Sequence, residues 1–315
     1  MFAQETWFLK WGWNCCHIYR INLRTQVVGM ANWYVLSIVA LVLMGMQRFL
    51  YKVSAERNCN TAWTTFSFMA TVTVLSVLFF LSLKEPVSDA RMLVLTALIN
   101  SASFVLGTIT HIEALKHVPS SVVYPIIRLN MVVVILFSIL FFHDHVSLHQ
   151  VLGILLAISV IVILTRDAEE GKESFGSLRR GLFLVFVSLI SGSVASISSK
   201  FAAVYSNKLG FMALSYFLGA LFSAALIRKS AKEGSQQNHK EAILIGLLMG
   251  LINFVGFYTF LAALSVGPLS IIVSITGMHF VIAVLLSVII YKEKLSRMRI
   301  LGIGLTIASI LFLRA

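Results

Sequence analysis

Four charged residues lie inside otherwise apolar stretches of this 315-residue chain: Arg48, Glu113, Arg128 and Lys200. An unpaired charge within such a stretch is costly, so it needs a partner or a polar cavity. Arg128 is the most informative, because it lies about eight positions into its stretch. Its planar guanidinium could hold a carboxylate or phosphate in a bidentate manner. A structural ion pair with Glu113 is the alternative, and both interpretations can hold at once.

Polar side chains accompany these charges at helical spacing. Ser121 and Tyr124 share a helical face with Arg128, and Asn100 and His111 share a stripe on the preceding segment. Asn100 fits a helix-to-helix hydrogen bond equally well. The sequence predicts a site for a small solute formed by Arg128, Tyr124, Ser121, Asn100, His111, Asn130, Lys200, Asn253, Tyr258, Ser274, Thr276 and His279.

The chain shows no pattern typical of an enzyme, a cofactor site or a metal site. It lacks a nucleophile elbow and a glycine-rich phosphate loop. His143, Asp144, His145 and His149 come close together, but the matching segment of the second half carries Lys292, Glu293, Lys294 and Arg299, which argues against a shared metal role. We therefore predict no catalysis, no cofactor and no bound metal.

Composition shows which elements must position these residues. Apolar residues make up 58% of the chain and charged residues 12%, where a soluble domain carries roughly 25% charged residues. The mean hydropathy is +0.91. A membrane-spanning helix needs about 20 apolar residues, and a β-barrel strand would alternate instead. The chain is predicted to be an all-α polytopic membrane protein with spans at 33–51, 61–83, 92–115, 120–142, 148–165, 181–203, 209–227, 242–265, 269–291 and 300–313. These spans exclude a soluble enzyme.

The net charge of +12 reflects membrane topology, because basic residues cluster at span ends rather than on a nucleic-acid surface. Lys and Arg number 16 on one predicted side of the membrane and 8 on the other, which favours placing both termini outside.

An internal repeat divides the ten spans into two sets of five. Residues 105–165 align with 254–314 without a gap, and 18 of 61 positions are identical, including the pairs Gly107/Gly256 and Pro119/Pro268. Because five is odd, the second set must enter the membrane in the inverted orientation. We predict an N-terminal extension at 1–32, either interfacial or upstream of the true start, a first repeat at 33–165, a linker at 166–180 and a second repeat at 181–314.

The repeated segment resembles the EamA-type repeat of the drug/metabolite transporter superfamily. It is EALKHVPSSVVYPIIRLNMVVVILFSILFFHDHVSLHQVLGILLAISVIVIL in the first half and AALSVGPLSIIVSITGMHFVIAVLLSVIIYKEKLSRMRILGIGLTIASILFL in the second. The likeness rests on the A-L-x-x-x-P turn, the acid after the fourth span and the L-G-I opening of the fifth. The family usually has Glu at that acid, and here Asp144 and Glu293 occupy it. The resemblance implies ten helices around a central cavity, alternating access to a small metabolite, and often both termini in the cytoplasm, against the charge count.

The combined expectation is a secondary transporter of an amino acid-like or other small organic solute, or a drug. A non-transport scaffold or signalling protein is the alternative. The expected partners are the lipid bilayer, the solute and protons as a candidate coupling ion, with His111 and Glu113 as coupling groups. We expect a multi-pass protein of the plasma membrane, or of the inner membrane in a bacterium, as a monomer or homodimer.

Overall fold

The computed structural model describes residues 23–57, 59–84, 89–114, 127, 129–167, 178–230, 239–292 and 297–314. All regular elements in these ranges are helices. They are α1 (Leu23–Glu56), α2 (Thr61–Leu83), α3 (Ala90–Ala114), α4 (Asn130–Phe141), α5 (Leu148–Asp167), α6 (Leu178–Tyr205), α7 (Lys208–Ser230), α8 (His239–Val266), α9 (Leu269–Gly277), α10 (His279–Tyr291) and α11 (Arg297–Arg314).

Seven segments of these helices are long and apolar enough to cross a membrane, and three shorter apolar segments lie in α4, α5 and α11. Together they account for the ten predicted spans. Two differences stand out. α1 begins at Leu23, within the predicted N-terminal extension, and the ninth span is interrupted at Met278, where α9 ends and α10 begins. Hydropathy detects neither feature, because a helix can continue beyond its apolar part and a break can be apolar.

Polar side chains define several helix starts. The Asn60 side chain accepts hydrogen bonds from the backbone N–H groups of Ala62 and Trp63, at 3.0 and 3.1 Å, and so caps α2. Before α5, Ser147 and Gln150 form a reciprocal capping box, with distances of 3.0 and 3.2 Å. These caps begin helices at the boundaries that the hydropathy pattern predicts.

The helices pack in reciprocal pairs across the two repeats, of which α1–α5 form the first and α6–α11 the second. α1 packs on α8, and the corresponding helices of the other repeats, α6 and α3, pack on each other in the same way. Likewise, α1 packs on α10, and the corresponding helices α6 and α4 pack on each other. α2 packs on α7, α4 on α9, and α5 on α11. The most extensive pairs all join helices of different repeats, so neither repeat is a separate packing unit.

Glycines allow some of these helices to approach closely. A Cβ atom on Gly246 of α8 would lie 2.6 Å from the Thr64 carbonyl oxygen of α2, and one on Gly250 would lie 2.5 Å from the Thr71 Cβ. The four-residue spacing of these glycines is the small-residue pattern that brings membrane helices together. The α2–α8 contact therefore depends on the absence of side chains at both positions.

Contacts also fix the relative direction of α1 and α8. Gly267, just past the end of α8, approaches Trp33 in the first part of α1, and Gly256 approaches Leu43 further along α1. The two helices therefore run antiparallel.

The pairing produces two mixed groups of helices. We define the first bundle as α1, α2, α8, α9 and α10, and the second bundle as α3, α4, α6 and α7. The bundles meet where α2 packs on α7 and where α4 packs on α9, while α5 and α11 pair beside them. Each bundle contains helices of both repeats.

Candidate functional site

A cavity of about 360 Å³ lies between the first and second bundles. Its volume falls at the small end of the range for ligand sites, roughly 300–1,000 Å³. All nine helices of the two bundles contribute to its lining, whereas α5 and α11 do not. The sequence predicts a cavity between the two repeats. The structure instead gives each wall helices from both repeats, because the repeats interleave.

One face of α1 forms the charged part of the lining. Met44, Gln47, Arg48 and Tyr51 follow each other at the spacing that places side chains on the same side of a helix. The Arg48 guanidinium carbon lies 5.5 Å from the centre of the Tyr51 ring. Arg48 is exposed and is the single formally charged side chain among the described lining residues.

A buried chain of hydrogen bonds joins three helices beside this face. The Tyr216 hydroxyl of α7 donates to the Asn253 side-chain oxygen of α8 at 2.6 Å. The Asn253 amide donates in turn to the Gln47 side-chain oxygen of α1 at 2.7 Å. The chain links the two bundles across the cavity, and it fixes the orientation of the Gln47 side chain next to Arg48.

Aromatic rings form much of the remaining lining. Phe257 stacks with Phe260 at 5.8 Å and meets Tyr216 edge-on at 5.7 Å. Phe68 also meets Tyr216 edge-on, at 5.8 Å. On the second bundle, Phe104 lines the cavity and is 47% exposed. The cavity therefore combines one cationic group with an apolar, ring-rich wall.

The break in the ninth span lies at the cavity. Thr276, Gly277 and His279 line it on both sides of Met278, and the His279 Nδ1 lies 2.7 Å from the Thr276 carbonyl oxygen. Interrupted helices of this kind expose backbone groups at the binding sites of transporters. The predicted residue Ser274 is instead fully buried and donates to the Ser270 carbonyl at 2.7 Å.

Two predicted asparagines line the cavity from the second bundle. The Asn100 amide donates to the Ala195 carbonyl at 2.8 Å and to two serine hydroxyls of α6, those of Ser198 and Ser199, at 3.1 Å each. Asn100 thus joins α3 to α6, as a helix-to-helix hydrogen bond would, and also borders the cavity. Asn130, at the start of α4, is the other.

Lys200 does not line the cavity but lies just beyond one end of it. Its ammonium donates to the Leu264 carbonyl at 2.6 Å and to the Gly267 carbonyl at 2.7 Å, and lies 5.6 Å from the centre of the Phe142 ring. The residue is 8% exposed. Lys200 therefore joins the last part of α6 to the carboxyl end of α8, where the helix dipole favours a cation.

Asp144, the acid of the repeated motif, binds the turn on its other side. Its carboxylate accepts from the Ser270 backbone N–H at 3.1 Å, the Ser270 hydroxyl at 2.8 Å and the Ser138 hydroxyl at 2.5 Å. A carboxylate at a helix start is favourable. Lys200 and Asp144 together hold the turn between α8 and α9.

The other predicted residues fall away from the cavity or outside the described chain. His111 of α3 and Tyr258 of α8 are half-buried and are not among the lining residues. Ser121, Tyr124, Arg128 and the Glu113 side chain lie outside the described residues. Among the side chains that the structure describes, no three of His, Cys, Asp or Glu form a group able to hold a metal ion.

The predicted site omits Gln47, Arg48, Tyr51 and Tyr216. The signal for Gln47, Arg48 and Tyr51 is present in α1, where a charge inside an apolar span shares a face with two hydrogen-bonding side chains. Arg48 lies close to the end of its predicted span, so its charge alone does not distinguish a cavity from a membrane interface.

Sequence comparison assigns the chain to a known group. The EamA-like transporter family matches residues 31–166 and again residues 179–315. The chain belongs to this family. EamA-like proteins are membrane transporters, which agrees with the expected transporter class.

Two archaeal relatives and one solved structure resemble this EamA-like chain. An "Uncharacterized transporter" of Archaeoglobus fulgidus is 24% identical over 224 residues, covering 71% of this chain and 76% of the relative. An uncharacterized protein of Methanocaldococcus jannaschii is 25% identical over 131 residues, covering 42% of this chain and 94% of the relative. A solved crystal structure of a protein shares the fold, with a TM-score of 0.69 and 15% sequence identity; the likeness covers 90% of this chain and 96% of that chain.

Proposed function

We propose that this protein is a secondary carrier that moves a small organic solute by alternating access, with the 360 Å³ cavity as its solute site. The observation that carries the proposal is an asymmetry in otherwise reciprocal packing. α6 and α8 touch within the second repeat, whereas the corresponding helices of the first repeat, α1 and α3, make no comparable contact in the described part of the chain.

The extra contact lies at one end of the cavity. The cavity lining stops at Ser199 on α6 and at Phe260 on α8, and the Lys200 hydrogen bonds to Leu264 and Gly267 lie just beyond. Since α1 and α8 are antiparallel, Arg48 and Tyr51 lie toward the opposite end. A carrier with a two-fold arrangement would alternate between this state and one in which α1 and α3 close that opposite end.

Alternation between these two states requires inverted repeats, and two contacts support the inversion. The end of α6 lies beside the end of α8 through Lys200, and the end of α8 lies beside the first part of α1 at Trp33. α6 therefore runs opposite to α1, although both open their repeats. The moving bodies in this proposal are the first and second bundles, rather than the two repeats.

The site is tested by filling the cavity. Ser196 lines it from α6, so Ser196→Trp should abolish exchange of solute in proteoliposomes. Ser159→Trp is the matched control, because Ser159 is exposed on α5, a helix that lines no part of the cavity. The measurement is counterflow of labelled amino acids, organic acids, nucleosides and amines.

We expect at least one solute class to exchange in the unmodified protein and in Ser159→Trp, and none in Ser196→Trp. Exchange that survives Ser196→Trp would remove the cavity from the transport path. Binding of solutes without exchange of any of them would contradict a carrier and favour a non-transport membrane protein. The proposed location is the plasma membrane, or the inner membrane in a bacterium.

A further inference from the structure

We infer that the solute is an amphipathic organic anion, with its acidic group at Arg48 and an apolar or aromatic body against the ring-lined wall. The inference rests on the proposed carrier function and specifies the chemical class that the cavity takes. It follows from the charge of the lining, the hydrogen-bonding state of its polar groups and the distribution of its rings.

The charge of the described lining is positive only. Arg48 is its one formal charge, and no Asp or Glu is among the described lining residues. Within the described part of the chain, Arg48 forms no salt bridge, although Arg57 further along pairs with Glu241 at 3.6 Å. A cationic solute would meet repulsion from Arg48 without a compensating acid.

The surroundings of Arg48 favour an acid over a neutral polar group. Its guanidinium carries five N–H donors, and its described ring contact with Tyr51 uses none of them as a hydrogen bond. The neighbouring Gln47 side-chain oxygen is already an acceptor for Asn253 at 2.7 Å. The donors of Arg48 therefore remain available to a planar carboxylate or to a phosphate, which accepts them in pairs.

The opposite character of the remaining lining specifies the body of the solute. Phe68 and Phe257 form ring contacts with Tyr216, Phe260 stacks on Phe257, and Phe104 is 47% exposed on the facing bundle. Met44, Met69 and Met131 add flexible apolar surface. A solute that is polar throughout would leave this wall unused.

Matched probes test the class. The series consists of 4-phenylbutyrate, 4-phenylbutanamide and 4-phenylbutylamine, which share a body and differ in the charge of the head group, with 3-phenylpropionate and 5-phenylvalerate as length variants. Binding is measured by the shift in melting temperature of the purified full chain in detergent, and exchange by counterflow in proteoliposomes. We expect the carboxylates to raise the melting temperature and the amide and amine to leave it unchanged.

Variants connect this selectivity to Arg48. Arg48→Gln should weaken binding of 4-phenylbutyrate by about 10- to 100-fold, the effect of losing a hydrogen bond to a charged group, and should remove the preference for the carboxylate over the amide. Arg48→Lys should keep that preference with weaker binding, because an ammonium lacks the planar fork. Arg57→Gln is the control, since it removes the same charge at a surface position outside the lining and should bind like the unmodified protein.

The outcomes separate this inference from the proposed function. Stabilisation by the amine or the amide but by no carboxylate overturns the anionic class, and counterflow of the stabilising compound would still support a carrier. Stabilisation by none of the carboxylates also overturns the class. Carboxylate binding that depends on Arg48 without any counterflow supports the anion site and contradicts the carrier.

Discussion

At the scale of single residues, a lysine buried among membrane helices requires acceptors, and Lys200 has two backbone carbonyls at the carboxyl end of α8. Carbonyls at a helix end have no partner within the helix, so a side-chain donor satisfies them. The sequence predicts Lys200 as a solute-binding residue, with the membrane interface as the alternative. Its hydrogen bonds indicate a structural contact just beyond one end of the cavity.

Lys200→Met is expected to lower the free energy of unfolding by about 1–3 kcal/mol, because it leaves the Leu264 and Gly267 carbonyls without their charged donor. Methionine keeps most of the apolar stem, so lost packing contributes little. The measurement is unfolding by SDS in mixed micelles. Lys84→Met, at the exposed end of α2, is the control and should change stability by less than about 0.5 kcal/mol. Unchanged stability together with weaker solute binding would contradict the structural role and would show that Lys200 acts in solute binding.

Residue types alone reveal part of the site. Asn253, Asn130, Thr276 and His279 are predictable because polar groups in apolar spans need partners or a cavity, and the structure places all four on the lining. Sequence cannot separate these two cases. Ser274 satisfies its hydroxyl within its own helix, so its polarity produces no cavity contact.

At the scale of elements, α8 depends on two glycines where it crosses α2. Gly246→Ala would place a methyl group 2.6 Å from the Thr64 carbonyl oxygen, a distance that backbone must move to relieve. We expect a loss of about 1–3 kcal/mol in the free energy of unfolding, typical of overpacking. Gly304→Ala in α11 is the matched control, because nothing lies within 4 Å of its added methyl group.

The same SDS unfolding measurement distinguishes the two variants. Gly304→Ala should be neutral or stabilising by up to about 1 kcal/mol, because alanine favours a helix over glycine. Equal effects of the two substitutions would show that helix propensity, rather than the close approach to α2, determines the role of Gly246.

The ends of a helix can be predicted from sequence where the bilayer determines the length of the apolar run. The span predicted at 61–83 coincides with α2 at Thr61–Leu83, because the bilayer requires a continuous apolar run and Asn60 caps its start. Helix partners do not follow in this way. Gly246 shows only that α8 can approach a neighbour, and the identity of that neighbour depends on how two repeats interleave.

At the scale of the whole molecule, the inverted arrangement has a direct topological test. In a background with all three cysteines replaced by serine, the separate substitutions Arg57→Cys and Ser206→Cys each introduce one cysteine, at the ends of α1 and α6 respectively. Inverted repeats place these positions on opposite sides of the membrane. Since Lys and Arg are more numerous on the side of Arg57, 16 against 8, we expect an impermeant maleimide to label Ser206→Cys in intact cells and to leave Arg57→Cys unlabelled.

Permeabilised cells provide the control, because both cysteines should react there. Labelling of Arg57→Cys alone in intact cells would agree with inverted repeats and would show that the whole protein has the opposite orientation in the membrane. Labelling of both positions from outside would contradict inverted repeats.

The interleaved packing of the repeats also bears on the history of the fold. Since the most extensive helix pairs join α1–α5 to α6–α11, a chain carrying five helices would lack partners for most of its packed faces. An ancestor with a single repeat would therefore have functioned as a dimer, and gene fusion would have joined surfaces that already fitted. After fusion, each half would be free to diverge, so that a group such as Arg48 could arise in one copy alone.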